Sequence, residues 1–597
     1  MTQPQMILFA LMGSVLALLL WGRIRHDLVA MAGLLIGVIV GVVPEKDAFS
    51  GFAHPAVIVV ALVLIASRAL ENSGALSIIA RRIVRPGRPI AVHIAVIGGV
   101  GAALSAFINN VAALALLMPI DINTARKAGR SPRLTLMPLA FATILGGLVT
   151  LIGTPPNIVA STFRQDALGA PYRMFDFAPV GLVCAITGIL FIAFGGWRLI
   201  PRAKAGRQVP EPARIDDFVV ELAVSPQSPA IGRLVAQLDE ESEAADVVIL
   251  GLIRDGRRLP GRARFATIRE GDLFEVEGSA DAVAAFIKAL ALEQAKDDIS
   301  VDAPEAEDAA RAGEPALVET VVRADSRIAW RSAEAFRLRS RFGVTLLGIS
   351  RQGRTFRERI SSRIIEPGDM LLLTGPQAAL AHVVNWLGTM PLSETSVQAA
   401  RTWRVVVALG LFIGAIIAAS TSFISFTTAI AIAVVGYAAT GLVTPREVYD
   451  QVDWPVVVML AALLPLSAAF ESVGGTALVA NLIVAVTQGH SPVVALVGLM
   501  LVTVILSDML NNVATMVIAG PVAIETARTL SVNPDAFLMA TVVAASLAFL
   551  TPIGHKNNTL IMGPGGYSFG DYWRLGLPLE ILMVSVSIPV ILVVWPL

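Results

Sequence analysis

Apolar residues in this chain fall into fourteen runs of 12 to 24 positions, too long for strands and lacking the polar stripe of a surface helix. Seven precede residue 201: Met6–Leu20, Leu28–Val43, Ala56–Asn72, Ile90–Ala106, Val111–Ile122, Leu134–Ile152 and Phe177–Ile200. Seven follow residue 400: Val405–Ser420, Phe426–Val443, Pro455–Val473, Val493–Leu510, Val513–Ile524, Ala536–Leu550 and Leu575–Pro596. About 20 apolar residues cross a bilayer as a helix, so several runs are too short to span alone. Ile90–Ala106 with Val111–Ile122, and Val493–Leu510 with Val513–Ile524, read as hairpins that enter the membrane and return, tipped by Asn109-Asn110 and Asn511-Asn512. Residues 201–400 break the pattern: short alternating stretches flank Asp255-Gly256 and Gln352-Gly353, as in β-hairpins.

Charge separates the same regions. The chain is 55% hydrophobic and 15% charged, against about 25% charged in soluble domains. Of its 92 charged side chains, 55 lie between Pro201 and Ala400. The outer parts, 1–200 and 401–597, are therefore membrane and the middle is soluble. Arg23 and Arg25, then Arg81, Arg82, Arg85 and Arg88, then Arg126, Lys127, Arg130 and Arg133 mark cytoplasmic loops. Lys46 in one loop, and Arg164 with Arg173 in another, leave the external side sparsely charged. With the Asn-tipped segments as hairpins, every strongly basic loop shares one side. The soluble insert is then cytoplasmic, both termini are external, and the chain sits in the cell (inner) membrane among lipid. The first run ends at Trp21-Gly22-Arg23 without a small-residue cleavage site, so no cleavable signal peptide is expected. Cys184 is the single cysteine, which excludes a disulfide scaffold, and zero net charge gives no reason to expect nucleic acid.

The outer parts repeat one another. Pro55 matches Pro455 and Glu71 matches Glu471 at an offset of 400; Asn109, Asn110 and Pro119 match Asn511, Asn512 and Pro521 at 402. Thr154-Pro155 matches Thr551-Pro552 at 397, and Gly181 matches Gly576 at 395. One hairpin enters from each side, so the repeats are inverted, which is the sequence mark of secondary transporters. The fold class expected is a polytopic α-helical membrane protein of two inverted-topology repeats with re-entrant hairpins, broken helices and inserted cytoplasmic α+β domains. Four polar interruptions form the candidate site: Ala106–Ala113, Thr150–Asn157, Leu510–Thr515 and Leu550–Asn558. Pro155, Pro156 and Pro552 remove backbone donors, and Gly153 and Gly554 permit non-helical dihedrals. Unwound backbone at membrane depth survives where it lines a cavity or is buried in protein. Its freed carbonyls suit Na⁺, and the half-helix N-termini suit an anion. Lys556, an ionisable group in a membrane segment, either faces that cavity or snorkels to water.

With those residues in view, the chain resembles the divalent-anion/sodium symporter family of the ion transporter superfamily across both membrane parts. The resemblance implies a homodimer of scaffold and mobile transport domains working as an elevator. The family's Ser-Asn-Thr tips fall on Asn109-Asn110-Val111 and Asn511-Asn512-Val513. It implies Na⁺ at Asn109, Asn110, Gly153, Thr154, Asn157, Asn511, Asn512, Thr551, Gly554 and Asn558, with Na⁺ the only metal and no organic cofactor. It implies substrate at Asn110, Thr154, Pro155, Asn512, Thr515, Thr551, Pro552, Lys556 and Asn557. Val in place of Thr in both motifs removes two hydroxyl donors, which disfavours a dicarboxylate and leaves sulfate, another small oxyanion or a sulfonate such as taurine.

Within the middle third, Gly251, Gly256 and Gly271-Asp272 recur as Gly348, Gly353 and Gly368-Asp369, all 97 apart. Two units, 207–295 and 315–392, are expected, closed by helices at Ala282–Leu292 and Gln377–Leu387 and joined by an acidic linker at Gln294–Glu314. They resemble the RCK C-terminal (TrkA C-terminal) type of domain, which implies a regulatory role with a small-molecule or nucleotide ligand, or a dimer clamp. The function expected is Na⁺-coupled import of a small anion, not an enzyme activity. The alternative is an arsenite-type exporter or Na⁺/H⁺ antiporter of the same superfamily, with Asp508 near a tip as the proton-coupling candidate. A channel is disfavoured because no T-V-G-Y-G filter is present.

Overall fold

The structure is a computed structural model that describes residues 2–597 apart from 22–23, 75–86, 202–217, 246, 255–256, 259–265, 279, 295–314, 324–325, 337, 352–353, 357–362, 393–401, 422 and 488. Arg23, Arg81, Arg82 and Arg85, the turn glycines Gly256 and Gly353, and all of the acidic linker but Gln294 lie outside the described residues. Two compact units result. One comprises Met1–Pro201, Val397–Asn558 and Phe569–Leu597; the other comprises Arg202–Ser396 and Thr559–Ser568.

The first unit is helical. Its first half contains α1 (Gln3–Trp21), α2 (His26–Ile39), α3 (Pro55–Ser73), α4 (Ile90–Ser105), α5 (Asn110–Lys127), α6 (Arg133–Gly146), α7 (Pro155–Leu168) and α8 (Ala178–Phe194). Helix starts follow side-chain chemistry. His54 caps α3 ahead of Pro55, and Asn109 caps α5 through Val111 N–H. In the order of the chain, the second unit contributes β1 (Phe218–Val224), β2 (Val248–Arg254), β3 (Arg257–Arg258), β4 (Leu273–Gly278), α9 (Ala280–Leu290) and β5 (Leu292–Gln294). Its second module has β6 (Pro315–Val321), β7 (Thr345–Arg351), β8 (Arg354–Thr355), β9 (Met370–Pro376), α10 (Gln377–Leu387) and β10 (Met390–Pro391). The helical unit then resumes with α11 (Thr402–Ser420), α12 (Phe426–Ala439), α13 (Trp454–Ser472), α14 (Gly475–Val486), α15 (Pro492–Met509), α16 (Asn512–Thr529), α17 (Pro534–Ser546), α18 (Lys556–Gly565, shared between the units) and α19 (Tyr572–Val594).

Among the described residues, six helices are long and apolar enough to cross a membrane: Gln3–Trp21, Glu45–Ser73, Trp403–Ser420, Trp454–Ser472, Pro492–Met509 and Phe569–Val594. Two shorter helices form the centre of the unit. Thr135–Gly146 of α6 and Asp535–Ser546 of α17 are buried at every position, as suits helices that are apolar on nearly every side. The helix behind each is admitted by a glycine. A Cβ on Gly181 of α8 would strike the Leu148 carbonyl, and one on Gly576 of α19 would strike the Phe549 carbonyl. Pro119 and Pro521 lie inside α5 and α16 at matching positions. The Val517 carbonyl that Pro521 leaves without its helical donor accepts Ser467 Oγ at 3.3 Å.

The second unit holds two five-stranded antiparallel sheets of identical order, β3-β2-β4-β1-β5 and β8-β7-β9-β6-β10. Each has a bulge at the same place: Gly251 opposite Glu275, and 97 residues later Gly348 opposite Leu372. Each is pinned by one bidentate ion pair. Arg254 grips Asp272 at 2.7 and 2.6 Å, and Arg351 grips Asp369 at 2.7 and 2.8 Å. Both aspartates also take a backbone N–H, from Arg269 and from Glu366. The core of the second module joins Leu371 and Leu373 of β9 to Leu380, Val383 and Leu387 of α10.

Candidate functional site

The two central helices both end in a short non-helical break, 147–154 before α7 and 547–555 before α18. The breaks share one hydrogen-bond pattern. Asn157 Nδ2 donates to the carbonyls of Gly147 and Thr150, at 3.0 and 2.8 Å. Asn558 Nδ2 donates to those of Ala548 and Thr551, at 2.9 and 3.0 Å. Thr150 Oγ1 donates to the Ala106 carbonyl, and Thr551 Oγ1 to the Asp508 carbonyl. Every member of the second set lies 401 or 402 residues after its counterpart. This corrects the offset of 397 read from Thr154-Pro155 and Thr551-Pro552. The gapless match is T-L-I-G-T-P-P-N to T-P-I-G-H-K-N-N, so Thr551 corresponds to Thr150, His555 to Thr154, and Lys556 to Pro155. The dipeptide Thr-Pro misled because a bond pattern, not a proline position, defines the break.

The carboxamides of Asn157 and Asn558 are fully buried, and both N–H bonds of each go to backbone carbonyls. Their Oδ1 atoms are left without a donor, as is Oδ1 of Asn557. A buried amide oxygen without a partner carries a desolvation penalty of about 1–3 kcal/mol. A dehydrated monovalent cation would remove that penalty.

The hairpin tips serve two purposes. Asn109 and Asn511 cap their helices, accepting Val111 N–H at 2.9 Å and Val513 N–H at 2.8 Å. Asn110 instead joins the two halves of the chain. Its backbone carbonyl accepts Asn557 Nδ2 at 3.1 Å, and Asn557 Nδ2 also donates to Thr143 Oγ1 at 2.8 Å. The Asn110 carboxamide lies between Ser105 Oγ, 2.6 Å from Oδ1, and His555 Nε2, 3.3 Å from Nδ2. Gly147 makes this room, since a Cβ there would come within 2.6 Å of the carboxamide. Asn512 is half-buried at the other tip.

Other predicted residues are placed differently. Thr515 Oγ1 bonds the Asn511 carbonyl in its own helix, at 3.2 Å. Thr551 Oγ1, besides donating to Asp508, accepts the N–H groups of Ile553 and Gly554, both at 3.2 Å, so this hydroxyl is a brace for the break. Thr154 is buried and extended, immediately before Pro155 and Pro156 open α7, while Pro552 stands inside the second break. Gly153 and Gly554 are packed against the backbones of Gly147 and Ser507 with no room for a side chain. Lys556 neither reaches out alone nor points at the orphaned oxygens: its ammonium is ion-paired with Asp453. Glu71 is tied to Arg68 at 3.1 Å, and Arg68 also reaches Glu447.

Two site residues carry no signal in the sequence. A lone histidine such as His555 has no pattern, and Glu580 is hidden inside an apolar run. Glu580 Oε1 accepts Phe549 N–H at 3.1 Å and Asp508 Oδ1 accepts Leu550 N–H at 2.9 Å, so two carboxyl groups hold the second break. Ala106 and Ala185 occupy the matching positions of the first. Apart from the breaks, a cavity of about 390 Å³ lies between the segment Ser50–His54 that leads into α3 and helices α7, α13 and α16, with His54, Asp166, Glu471 and Arg528 on its wall.

Buried polar breaks facing each other across two halves of an apolar helical unit define a multi-pass membrane transporter rather than an enzyme. The chain belongs to the citrate transporter family, whose profile matches residues 16–498 and 487–597. It is 30% identical over 588 residues to the uncharacterized transporter sll0640 of Synechocystis, covering 97% of this chain and 94% of that one. It is 25% identical over 613 residues to the uncharacterized transporter YfbS of Escherichia coli, covering 98% of each. A partial match, 24% over 279 residues, joins it to sodium/sulfate cotransporter 2 of Chlamydomonas reinhardtii and covers 45% of this chain and 32% of that one.

Proposed function

We propose that this protein is a Na⁺-coupled symporter that imports a small oxyanion, with sulfate as the leading substrate. The observation that carries the reading is the pair of buried, donor-less Oδ1 atoms of Asn157 and Asn558, one in each break. Oxygen ligands without protons suit a hard monovalent cation. The half-helix N-termini at Asn110, Asn512 and Lys556 supply N–H groups for the anion. Val111 and Val513 remove the hydroxyls that would favour a dicarboxylate. The name of the Chlamydomonas relative supports the choice of sulfate and sodium. In this reading the halves are inverted repeats, the protein works as an elevator-type homodimer, and the second unit is a cytoplasmic RCK-type pair that regulates or clamps the dimer.

Uptake of radiolabelled sulfate, taurine, succinate and citrate into proteoliposomes tests the reading. Sulfate should accumulate only with an inward Na⁺ gradient; accumulation of none of the four, or equal uptake in choline, would refute it. A second reading, proton coupling, rests on the Asp508 and Glu580 carboxyls, and a pH gradient replacing Na⁺ would favour it. Topology is checked separately with single cysteines at Ser131 and Gly489 in a Cys184→Ser background. They should be labelled from opposite faces of the membrane, and labelling from one face would rule out inversion.

A further inference from the structure

We propose that His555 is a positioning residue: as the neutral Nε2–H tautomer it donates to the carboxamide oxygen of Asn110, and so turns the amide N–H of Asn110 toward the transported anion. The proposal rests on the symporter reading for the identity of the anion, but not for the state of the imidazole.

His555 Nδ1 accepts the N–H of Asn557 at 3.1 Å, so that nitrogen carries no proton. A neutral ring then has its proton on Nε2. Nε2 lies 3.3 Å from the end of the Asn110 carboxamide. Two N–H groups cannot satisfy each other, so the carboxamide atom facing Nε2 is the oxygen. An imidazolium fits worse, because it would present a second N–H to the Asn557 amide. Carboxamide oxygen and nitrogen have the same shape and exchange by a half-turn, and the hydrogen-bond network decides which way they lie. The half-turn puts Nδ2 against Ser105 Oγ, an acceptor 2.6 Å from that position. All the ring and amide contacts then pair donor with acceptor. His555 is 8% and Asn110 5% exposed, so bulk water does not supply substitutes. Asn557 pins the Asn110 backbone from the same break.

This separates the site's asparagines by chemistry. Asn157 and Asn558 commit both N–H bonds to carbonyls and keep an oxygen, which suits a cation. Asn110 commits its oxygen to His555 and one N–H to Ser105, and keeps the other N–H, which suits an oxyanion. Asn110 is therefore a substrate ligand rather than a Na⁺ ligand. The device belongs to one half of the protein only, because Thr154 stands where His555 would be in the other break.

Two measurements test the proposal. In protein labelled with ¹⁵N-histidine, the His555 ring, identified by its loss in His555→Gln, should show a protonated Nε2 and a bare Nδ1. A protonated Nδ1, or both nitrogens protonated, would overturn the assignment whatever the substrate is. In proteoliposomes, His555→Leu should raise the KM for sulfate about tenfold, the effect of one hydrogen bond, while His555→Gln, which keeps an N–H donor, should raise it less. Half-saturation by Na⁺ should be unchanged in both. Asn110→Asp preserves shape but has no N–H: sulfate affinity should fall at least about tenfold while stabilisation of the protein by Na⁺ persists. Unchanged sulfate affinity in Asn110→Asp, or a Na⁺ half-saturation that shifts with the sulfate KM, would make Asn110 a cation ligand and end the proposal. Absence of sulfate uptake by the unmodified protein would count against the symporter reading alone, and the ring nitrogens would still decide the role of His555.

Discussion

Asn157→Ala and Asn558→Ala should each abolish Na⁺-driven uptake, the largest single-residue effects expected in this protein. Each removes the orphaned Oδ1 proposed for the cation and also strips two buried carbonyls of their donor. An unpaired buried carbonyl costs about 1–3 kcal/mol, so each variant, with two of them, should lose roughly 2–6 kcal/mol of stability. Loss of one oxygen from a small coordination shell should lower Na⁺ affinity by roughly a hundredfold, about 2.7 kcal/mol. The two effects are separable: thermal unfolding in detergent without Na⁺ reports the brace, and the further shift on adding Na⁺ reports the cation. A normal Na⁺-induced shift in both variants would show that these oxygens hold no cation.

Asp535→Ala should be the most destabilising change outside the breaks. Asp535 is 7% exposed in the first turn of α17 and takes Arg164 Nε and Nη2 at 2.7 and 3.0 Å, together with Tyr172 Oη at 2.8 Å. Removing it strands a guanidinium and a phenol that are both mostly out of water. Breaking a buried pair from one side typically costs about 3–5 kcal/mol, and partial exposure of Arg164 argues for the lower figure. Arg164→Met with Asp535→Leu should recover part of the loss, since no charge is then left unpaired. The midpoint of thermal unfolding measures both; a double variant no better than Asp535→Ala would show that the ion pair is not the cause. Arg133 Nη2 and Asp571 Oδ2, 2.7 Å apart, form a second such tie between the early and late halves of the chain, and the same test applies there.

Much of the architecture is legible in residue order because membranes and hairpins impose strong local rules. A bilayer demands long apolar runs, so the charge-poor outer parts and the charged middle third stand out from composition alone. Asn109 and Asn511 follow each other at a fixed offset because each must cap a helix that starts in an apolar setting. Gly251 and Gly348 recur 97 residues apart because each module bends its second strand with one bulge. Helix α10 begins and ends where Gln377 and Leu387 were expected. Short-range patterns of this kind follow from dihedral preferences and hydrophobic period, which are properties of neighbouring residues.

What residue order could not decide was which polar groups meet. Thr154-Pro155 and Thr551-Pro552 are the better match as letters, yet the side-chain bonds of Asn157 and Asn558 register the breaks four residues away from that match. The role of Lys556 depended on Asp453, 103 residues earlier, and His555 became part of the site only through Asn110, 445 residues earlier. Glu580 lies in an apolar stretch and matters because Phe549 turns its N–H toward it. The sequence alone determined that this protein is a helical membrane transporter with two matching polar breaks and a paired β-rich insert, because burial and capping are written locally. Tertiary structure alone decided which partners each asparagine meets, because a carboxamide's free atom is whatever its distant partners leave unpaired.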